Sequence, residues 1–511
     1  MAWWLLNQWR WRESEGMKLE DIIEGVFVKS VSGPINVDVA GVFFDSRQVV
    51  PDGLFCALEG EGADGHDYID QAIEKGATAI LSERPNPAEF PATWLQVDNA
   101  RNAMGLVSSH LAGNPSQKFP VVGVTGTNGK TTTTYLIHHL FEAILHRAGL
   151  VGTIQYSTGV GMEEAPHTTP ESPDLQRLFA EMAAHDCRGA AMEVSSHGLF
   201  QGRVKGVAFD VGVFTNLSQD QLDYHKTMEN YYAAKRLLFE QMNADATRDG
   251  VALINIDDVY GERLSKEPLE NLQRLTFGRG TSADFQASDI HSDFDGTRFK
   301  LSFRERSFLV RIPLIGAFNV YNALAAIASG YAVGLNLREV IAKMAEAPQV
   351  PGRLEAIGNR QINYRVFVDY AHTPDALVSV LDTLRGLQPE RIITVFGCGG
   401  DRDVQKRPLM ARAAEEGSDY CVLTSDNPRT EDPFGILEDA EKGFHEKRYE
   451  VVEDRADAIE RAINLAGERD IVLIAGKGHE AYQEINGVRH DFDDRKVAAG
   501  CINRRAERGS K

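Results

Sequence analysis

Phosphate chemistry is the first chemistry that the residue spacing suggests. Residues 125–132 read Thr-Gly-Thr-Asn-Gly-Lys-Thr-Thr, after the apolar run VVGVT and before a segment of helical spacing. Gly126 and Gly129 let the N–H groups of the loop, Thr127 and Asn128 included, turn inward on phosphate oxygens. The helix N-terminus behind them, at Thr131 and Thr132, adds partial positive charge. Lys130 is placed to reach terminal phosphates, and the Thr131 hydroxyl to ligate Mg²⁺. The general phosphate-loop pattern needs glycine at 124, where valine stands. The strand–turn–helix setting still argues against an ordinary glycine turn with a solvated lysine. A magnesium–nucleotide complex usually also needs a carboxylate at the end of a neighbouring strand. AAMEVSSH (190–197) supplies Glu193 after an apolar run that predicts a strand buried on both faces. The alternative is a surface glutamate.

A second group lies in NLSQDQLDYHKTMENYYAAKRLLFEQM (216–242). Its second half predicts an amphipathic helix, with Tyr231, Ala234, Leu238, Phe239 and Met242 as the apolar stripe and Glu229, Arg236 and Glu240 opposite. Lys235 falls within the stripe. A lysine there ordinarily snorkels outward or pairs with a carboxylate. Desolvation would instead lower its pKa, and a neutral amine reacts with CO₂ to give a carbamate. His225, ahead of the helix, is either a metal ligand or a satisfied polar residue.

These residues need a scaffold that holds loops at strand ends. All three blocks of the chain read as alternating strands and helices. In the last block RVFVDY, RIITVFG, YCVLTSD and DIVLIAG read as strands that end in polar or glycine-rich turns. That predicts an α/β fold with mostly parallel sheets and ligands at the carboxyl ends of the strands. Breaks at 112–120 (AGNPSQKFP) and 347–353 (APQVPGR) divide the chain into three domains at 17–119, 120–348 and 349–511. KLEDIIEGV, from Lys18, predicts an amphipathic start. Residues 1–16 hold four of the five tryptophans without a clear period and read as an extension outside the fold.

Composition narrows the function. The 511 residues carry a net charge of −20, which repels nucleic acid and anionic membrane as a whole. No apolar run has the ~18 residues of a membrane span, so no membrane insertion is expected. Five widely spaced cysteines without a CxxC fit reduced thiols in a cytoplasm.

Taken together, TGTNGKTT, Glu193, His225 and the AAK…LF helix resemble the Mur ligases, the ATP-dependent amino-acid-adding enzymes of peptidoglycan synthesis, over essentially residues 17–511. The resemblance implies a small N-terminal α/β domain that binds a UDP-linked substrate, a central P-loop-type ATPase domain and a C-terminal Rossmann-like domain that binds the amino acid. It implies Mg²⁺ ligands at Thr131, Glu193, His225 and Lys235, with Lys235 carbamylated as N6-carboxylysine. Lys130, Glu193, His225 and Lys235 would be the catalytic set. GAFNVYNALAA (316–326) resembles the family's hinge segment, with Asn322 facing adenine. PGRLE and DYAHTPDAL resemble the segments that place Arg353, Asp369 and His372 at the nucleotide.

The similarity is greatest to the branch that adds the third residue of the stem peptide. DSR (45–47) resembles its uridine-binding turn, with Ser46 as the contact. HTTP places Thr168 and Thr169, and EVSSHGLFQGR places Ser195, Gln201 and Arg203, on UDP-MurNAc-L-Ala-D-Glu. Without the family, DSR is an Asx turn and HTTP a loop. In the last block GGDRD holds Arg402, TSDNPRTEDP holds Asp426, Asn427, Pro428 and Arg429, and GKGHE holds Gly476 and Glu480. DNPR resembles the signature for meso-2,6-diaminopimelate, whose second carboxylate suits a bidentate guanidinium. The other reading of Arg429 is a solvated charge beside a proline turn. Asp426 and Glu480 are the expected partners of the distal ammonium.

The resemblance implies phosphorylation of the D-Glu carboxylate by ATP, helped by two Mg²⁺ ions and Lys130, then attack by the diaminopimelate amine on the acyl phosphate. It implies a cytoplasmic monomer whose domains close on their substrates, with the two breaks as hinges. Rivals are a folylpolyglutamate-synthase-like ligase, opposed by DSR and DNPR, and a nucleotide-switched binding protein without chemistry. A dinucleotide oxidoreductase is poorly supported, because GCGGDR (397–402) is not GxGxxG.

Overall fold

The structure is a computed structural model. It describes residues 16–509 apart from 61, 88, 89, 247, 359–361 and 447. The expectation for residues 1–16 therefore lies, but for Gly16, outside the described residues.

The chain packs as two compact units. The first runs to Gln286 and takes in Ser302–Arg306 and Tyr321–Lys343; the second comprises Ala287–Leu301, Ser307–Val320 and Met344–Lys511. Besides one two-stranded pair, the first unit holds two larger sheets. One is five-stranded, in the order Val28–Ser32, Thr93–Val97, Ala77–Ser82, Gly53–Cys56 and Gly41–Phe43. Its first pair is antiparallel and the rest are parallel. The helix Ala100–Leu111 buries Ala103, Met104 and Val107 against it. The amphipathic start is shorter than its sequence suggests. Met17–Lys18 pairs as a strand with Asp38–Val39, and only Leu19–Ile22 is helical.

The second sheet of this unit carries the phosphate loop. Its parallel core runs Gly149–Val151, Ala190–Glu193, Val121–Thr125, Val211–Phe214, Gly250–Asn255 and Leu272–Gly278. Val121–Thr125 and Ala190–Glu193 are buried at every position, as their unbroken apolar character requires. The strand after the loop helix returns two places to one side, and Val211–Phe214 lies on the other. The loop thus leaves the sheet where the strand order reverses, the usual ligand position in such sheets. The helix Lys130–Leu145 follows at once and buries Leu136, Ile137, Leu140 and Phe141.

In the second unit the sheet order is Glu355–Ile357, Arg365–Asp369, Ile471–Ala475, Ile392–Phe396, Tyr420–Leu423 and Tyr449–Val451. Only the first pair is antiparallel. Separate apolar clusters cover its two faces, one with Leu377, Leu381 and Met410, the other with Ile459, Ile463 and Ile502. A hairpin, Tyr482–Ile485 with Val488–Asp491, follows the Ile471–Ala475 strand. No helix among the described residues is long and apolar enough to cross a membrane.

The break at 112–120 does not separate the units. Ser109 donates to the Gly206 carbonyl at 2.9 Å, and the Ala208 N–H donates to Ser116 Oγ at 3.0 Å. A Cβ on Gly105 would stand 2.5 Å from the Lys205 carbonyl oxygen, so only glycine admits this backbone approach. The break at 347–353 falls just after Met344, where the second unit resumes.

Gly105 gives a test with opposing terms. Gly→Ala inside a helix ordinarily gains up to ~1 kcal/mol, whereas overpacking against fixed backbone costs ~1–3 kcal/mol. Gly105→Ala is expected to lower the melting temperature. A rise would show that this seam is loose.

Candidate active site

The loop geometry follows from two glycines. Gly126 has φ +146° and Gly129 φ +84°. A Cβ would lie 1.9 Å from Thr215 Oγ1 at the first and 2.4 Å from Asn322 Oδ1 at the second. Thr215 donates to the Asn128 carbonyl at 2.7 Å, and the Thr127 and Asn128 N–H groups donate to Asn216 O and Oδ1 at 2.8 and 2.9 Å. Thr127 Oγ1 is 3.3 Å from the Tyr231 hydroxyl. Lys130 Nζ donates to Gly126 O at 2.9 Å and Thr127 O at 2.8 Å. Thr131 and Thr132 are buried in the first helical turn. Asn322 is buried too, and its Oδ1 accepts from Thr133 at 3.2 Å. It therefore packs on the loop and its helix.

Glu193 ends its strand beside Val124 and is wholly buried, not a surface glutamate. Its Oε2 accepts from Thr131 at 3.0 Å and Thr153 Oγ1 at 3.1 Å, and its Oε1 from the Thr153 N–H at 2.8 Å. A threonine hydroxyl from the loop thus meets a carboxylate from the next strand. Those are hard oxygen donors, the kind Mg²⁺ takes together with water and phosphate oxygens. Thr153 was not singled out from sequence; a lone threonine after Gly152 carries no signal. No group of three or more His, Cys, Asp or Glu residues suited to a metal ion is present among the described residues.

Lys235 does not snorkel. It is 1% exposed on the helix Met228–Ala244, with Nζ donating to Gly126 O at 2.7 Å and lying 4.4 Å from the Tyr231 ring centre. Burial pushes its pKa well below that of an ordinary lysine, and Lys130 pushes it the same way. His225 is buried, 3.0 Å by Nε2 from Ser196 Oγ and stacked on Tyr231 at 5.1 Å.

The expected acceptor residues form a chain of contacts from Glu193. Thr168 Oγ1 is 3.1 Å from Thr153 Oγ1. Thr169 donates to the Glu193 carbonyl and accepts from the Ser195 N–H, both at 3.0 Å. Ser195 caps the helix Ser196–Phe200. Arg203 donates to Gln201 Oε1 at 2.6 Å and to Thr169 O at 3.0 Å, and pairs with Glu171 at 3.0 Å. Ser46 stands apart on the N-terminal sheet's own loop, donating to Gln71 at 2.5 Å.

In the second unit Asp369 is buried and accepts from the Leu354 and Ala371 N–H groups at 2.7 and 2.8 Å. Burial raises its pKa, with Arg353 opposing. Arg353 lies 4.6 Å from the Tyr370 ring centre, and the His372 ring 4.6 Å from it. These three expected residues do come together.

So do the DNPR, GKGHE and GGDRD segments. Asp426 is buried; Gly476, at φ +116°, would carry a Cβ only 2.6 Å from its Oδ2. Asn427 donates to Glu480 Oε2 at 3.0 Å. Pro428 is buried, and its carbonyl lies 2.0 Å from where a Cβ on Gly400 would stand. Arg429 is no solvated charge. Its guanidinium is 23% exposed, donates to Gly400 O at 2.6 Å and lies 3.8 Å from Glu484. Arg402 is exposed, with its Cγ near Gly399 beside the Arg429 guanidinium. Sequence reasoning missed Lys477 and the fully buried Arg455–Asp494 pair at 2.7 Å. Arg455 also donates to Ser425 O at 3.4 Å and Ala475 O at 3.0 Å, bracing the ends of two strands. Its sequence setting, DRADAIE, reads only as a capped surface helix.

A nucleotide-type loop over a buried threonine–carboxylate pair, on these sheets, defines the class, and the comparisons agree. Residues 38–110 match the Mur ligase family catalytic domain, 124–330 the Mur ligase middle domain, and 352–478 the Mur ligase glutamate ligase domain. The chain belongs to the Mur ligase family. It is 44% identical over 486 residues to UDP-N-acetylmuramoyl-L-alanyl-D-glutamate–2,6-diaminopimelate ligase of Solibacter usitatus, covering 94% of this chain and 97% of that one. The enzyme of the same name from Geobacter metallireducens is 43% identical, with 96% and 100% covered. A solved structure of a ligase of that name superposes with a TM-score of 0.71 at 35% identity, covering 96% and 99%.

Removing one member of a buried ion pair leaves an uncompensated charge at a cost of ~3–5 kcal/mol. Asp494→Ala is expected to destabilise by about that much in urea unfolding. Replacing both residues together, Arg455→Met with Asp494→Leu, should cost much less. An Asp494→Ala midpoint equal to that of the parent would remove the bracing role.

Proposed function

We propose that the protein ligates meso-2,6-diaminopimelate to UDP-MurNAc-L-Ala-D-Glu at the expense of ATP, giving ADP, phosphate and the UDP-MurNAc-tripeptide. The observation that carries this reading is the DNPR crevice. There Arg429, largely buried, donates to Gly400 O 3.8 Å from Glu484, and the neighbouring Asn427 holds the Glu480 carboxylate, in a chain 44% identical to a ligase of that name. A distal carboxylate and a distal ammonium call for those charges.

The phosphate loop supports ATP as the phosphoryl donor. Lys130 and the N-terminus of its helix would take the γ-phosphate charge. Thr131 and Glu193 would hold one Mg²⁺, and His225 with a Lys235 carbamate a second. When bound, Mg²⁺ neutralises charge on the transferring phosphoryl group. The D-Glu carboxylate attacks the γ-phosphorus and ADP leaves. The diaminopimelate amine, having lost its proton, then attacks the acyl carbon, and phosphate leaves as the amide forms. Ser46, Thr168, Thr169, Ser195, Gln201 and Arg203 would orient the acceptor. Asn322, Arg353, Asp369 and His372 would hold the nucleotide. Arg402, Asp426, Asn427, Pro428, Arg429, Gly476 and Glu480 would hold the amino acid. Domains at 17–119, 120–348 and 349–511, a monomeric state and a cytoplasmic location complete the reading.

Ligation kinetics with diaminopimelate and with lysine test it. The parent is expected to form tripeptide with diaminopimelate and little with lysine. Arg429→Ala removes one member of a largely desolvated charge pair, typically ~2–5 kcal/mol, so kcat/KM for diaminopimelate should fall at least about tenfold. ATP binding and melting temperature should change little. Lysine should not become a good substrate, because removing a grip builds no new one. Unchanged diaminopimelate kinetics would leave Arg429 outside the site.

A further inference from the structure

We infer that Lys477 is a positioning residue of the amino-acid crevice, setting the Asn427 amide and the Glu480 carboxylate for the incoming substrate; this rests on the crevice being the diaminopimelate site.

Lys477 is 0% exposed, one residue past the Ile471–Ala475 strand and Gly476. Glycines bracket it, at φ +116° and φ +55°. A Cβ at Gly476 would stand 2.6 Å from Asp426 Oδ2, and one at Gly478 2.7 Å from the Tyr370 Cβ. The two glycines let the backbone turn there in a conformation that residues with a side chain rarely adopt, and Lys477 is wholly enclosed. An ammonium withdrawn from water must be met by fixed acceptors. Here they are Asn427 Oδ1 at 3.0 Å and Glu480 Oε2 at 3.3 Å, with the Tyr482 ring 5.4 Å away.

The contacts define the amide unambiguously. Oxygen and nitrogen of an asparagine side chain look alike, and the surrounding donors decide which is which. Two donors, Lys477 Nζ and the Glu484 N–H, each reach the same atom of Asn427 at 3.0 Å. That atom is the oxygen. Nδ2 then faces Glu480 Oε2 at 3.0 Å. Lys477 and Asn427 thus hold the carboxylate by one oxygen. Without the ammonium, Asn427 Oδ1 loses one of its two donors and Glu480 loses its counter-charge. The crevice then relaxes.

The test is steady-state ligation by the full-length protein. Lys477→Met is expected to raise the KM for meso-diaminopimelate at least about tenfold, with kcat and the KM values for ATP and UDP-linked acceptor within about twofold to threefold. Lys477→Arg, which keeps charge and donors, should recover part of the loss. Because the lysine and Asn427 hold each other and the same Glu480 oxygen, the Lys477→Met, Asn427→Ala double variant should lose less than the product of the two single losses. Lys477→Gln is assayed in parallel, so that a Lys477→Met chain that does not fold still leaves a neutral variant to measure. An unchanged diaminopimelate KM in the neutral variant that folds, or effects that multiply in the double variant, would overturn the inference. Arg429→Ala tells the two failures apart. If it loses diaminopimelate kinetics while Lys477 does not matter, only this inference falls; if neither matters, the crevice is not the diaminopimelate site.

Discussion

One carbonyl oxygen, that of Gly126, accepts from two lysines, Lys235 at 2.7 Å and Lys130 at 2.9 Å. Two ammonium groups bonded to one atom stand no farther apart than those two bonds laid end to end. Their repulsion there is at least about 3 kcal/mol at an effective dielectric near 20. Lys235 has almost no water to screen it. Two remedies exist, loss of a proton or reversal of sign. The depressed pKa of Lys235 is the first. A carbamate is the second: the neutral amine attacks CO₂, an N–C bond forms, a proton leaves and an anion remains. With that anion in place, Lys130 has an opposite charge beside it instead of a like one, and phosphate chemistry next to the loop becomes electrostatically coherent.

The rest of the first unit follows from holding this arrangement rigid. Thr215 leaves no space for a side chain at Gly126, and Asn322 none at Gly129. Glu193 is tied by Thr131 and Thr153, and Thr153 passes the tie to Thr168. The second unit solves a comparable problem with different parts. Arg455, sealed against Asp494, fixes the ends of the strands that carry Asp426 and Gly476, while Lys477 occupies the layer above. In both units a buried cation is tolerated because backbone carbonyls or side-chain oxygens were placed for it in advance.

Much of this was legible in the sequence wherever local pattern and tertiary role coincide. Apolar runs marked buried strands at 121–125 and 190–193 and further strands within 365–369 and 471–475, and each is a strand. Glu193 and Lys235 were legible because each breaks an apolar pattern. Thr153, Lys477, Arg455 and Asp494 were not, since nothing local separates them from surface residues of the same type. Their roles come chiefly from distant contacts: Thr153 with Glu193 40 positions away, Lys477 with Asn427 50 away and Arg455 with Asp494 39 away. Met17 and Lys18 take their strand form from Asp38 and Val39, not from their own spacing. Arg429 lies past the Tyr420–Leu423 strand, and its contacts there are Gly400 O and Glu484.

The state of Lys235 is open to direct observation. Protein equilibrated with ¹³C-bicarbonate should show one slowly exchanging carbamate resonance in the ¹³C spectrum. It should be absent in Lys235→Ala and should fade in step with ligase activity when CO₂ is stripped. Full activity in CO₂-free buffer with no carbamate resonance would contradict the proposed charge reversal at Gly126.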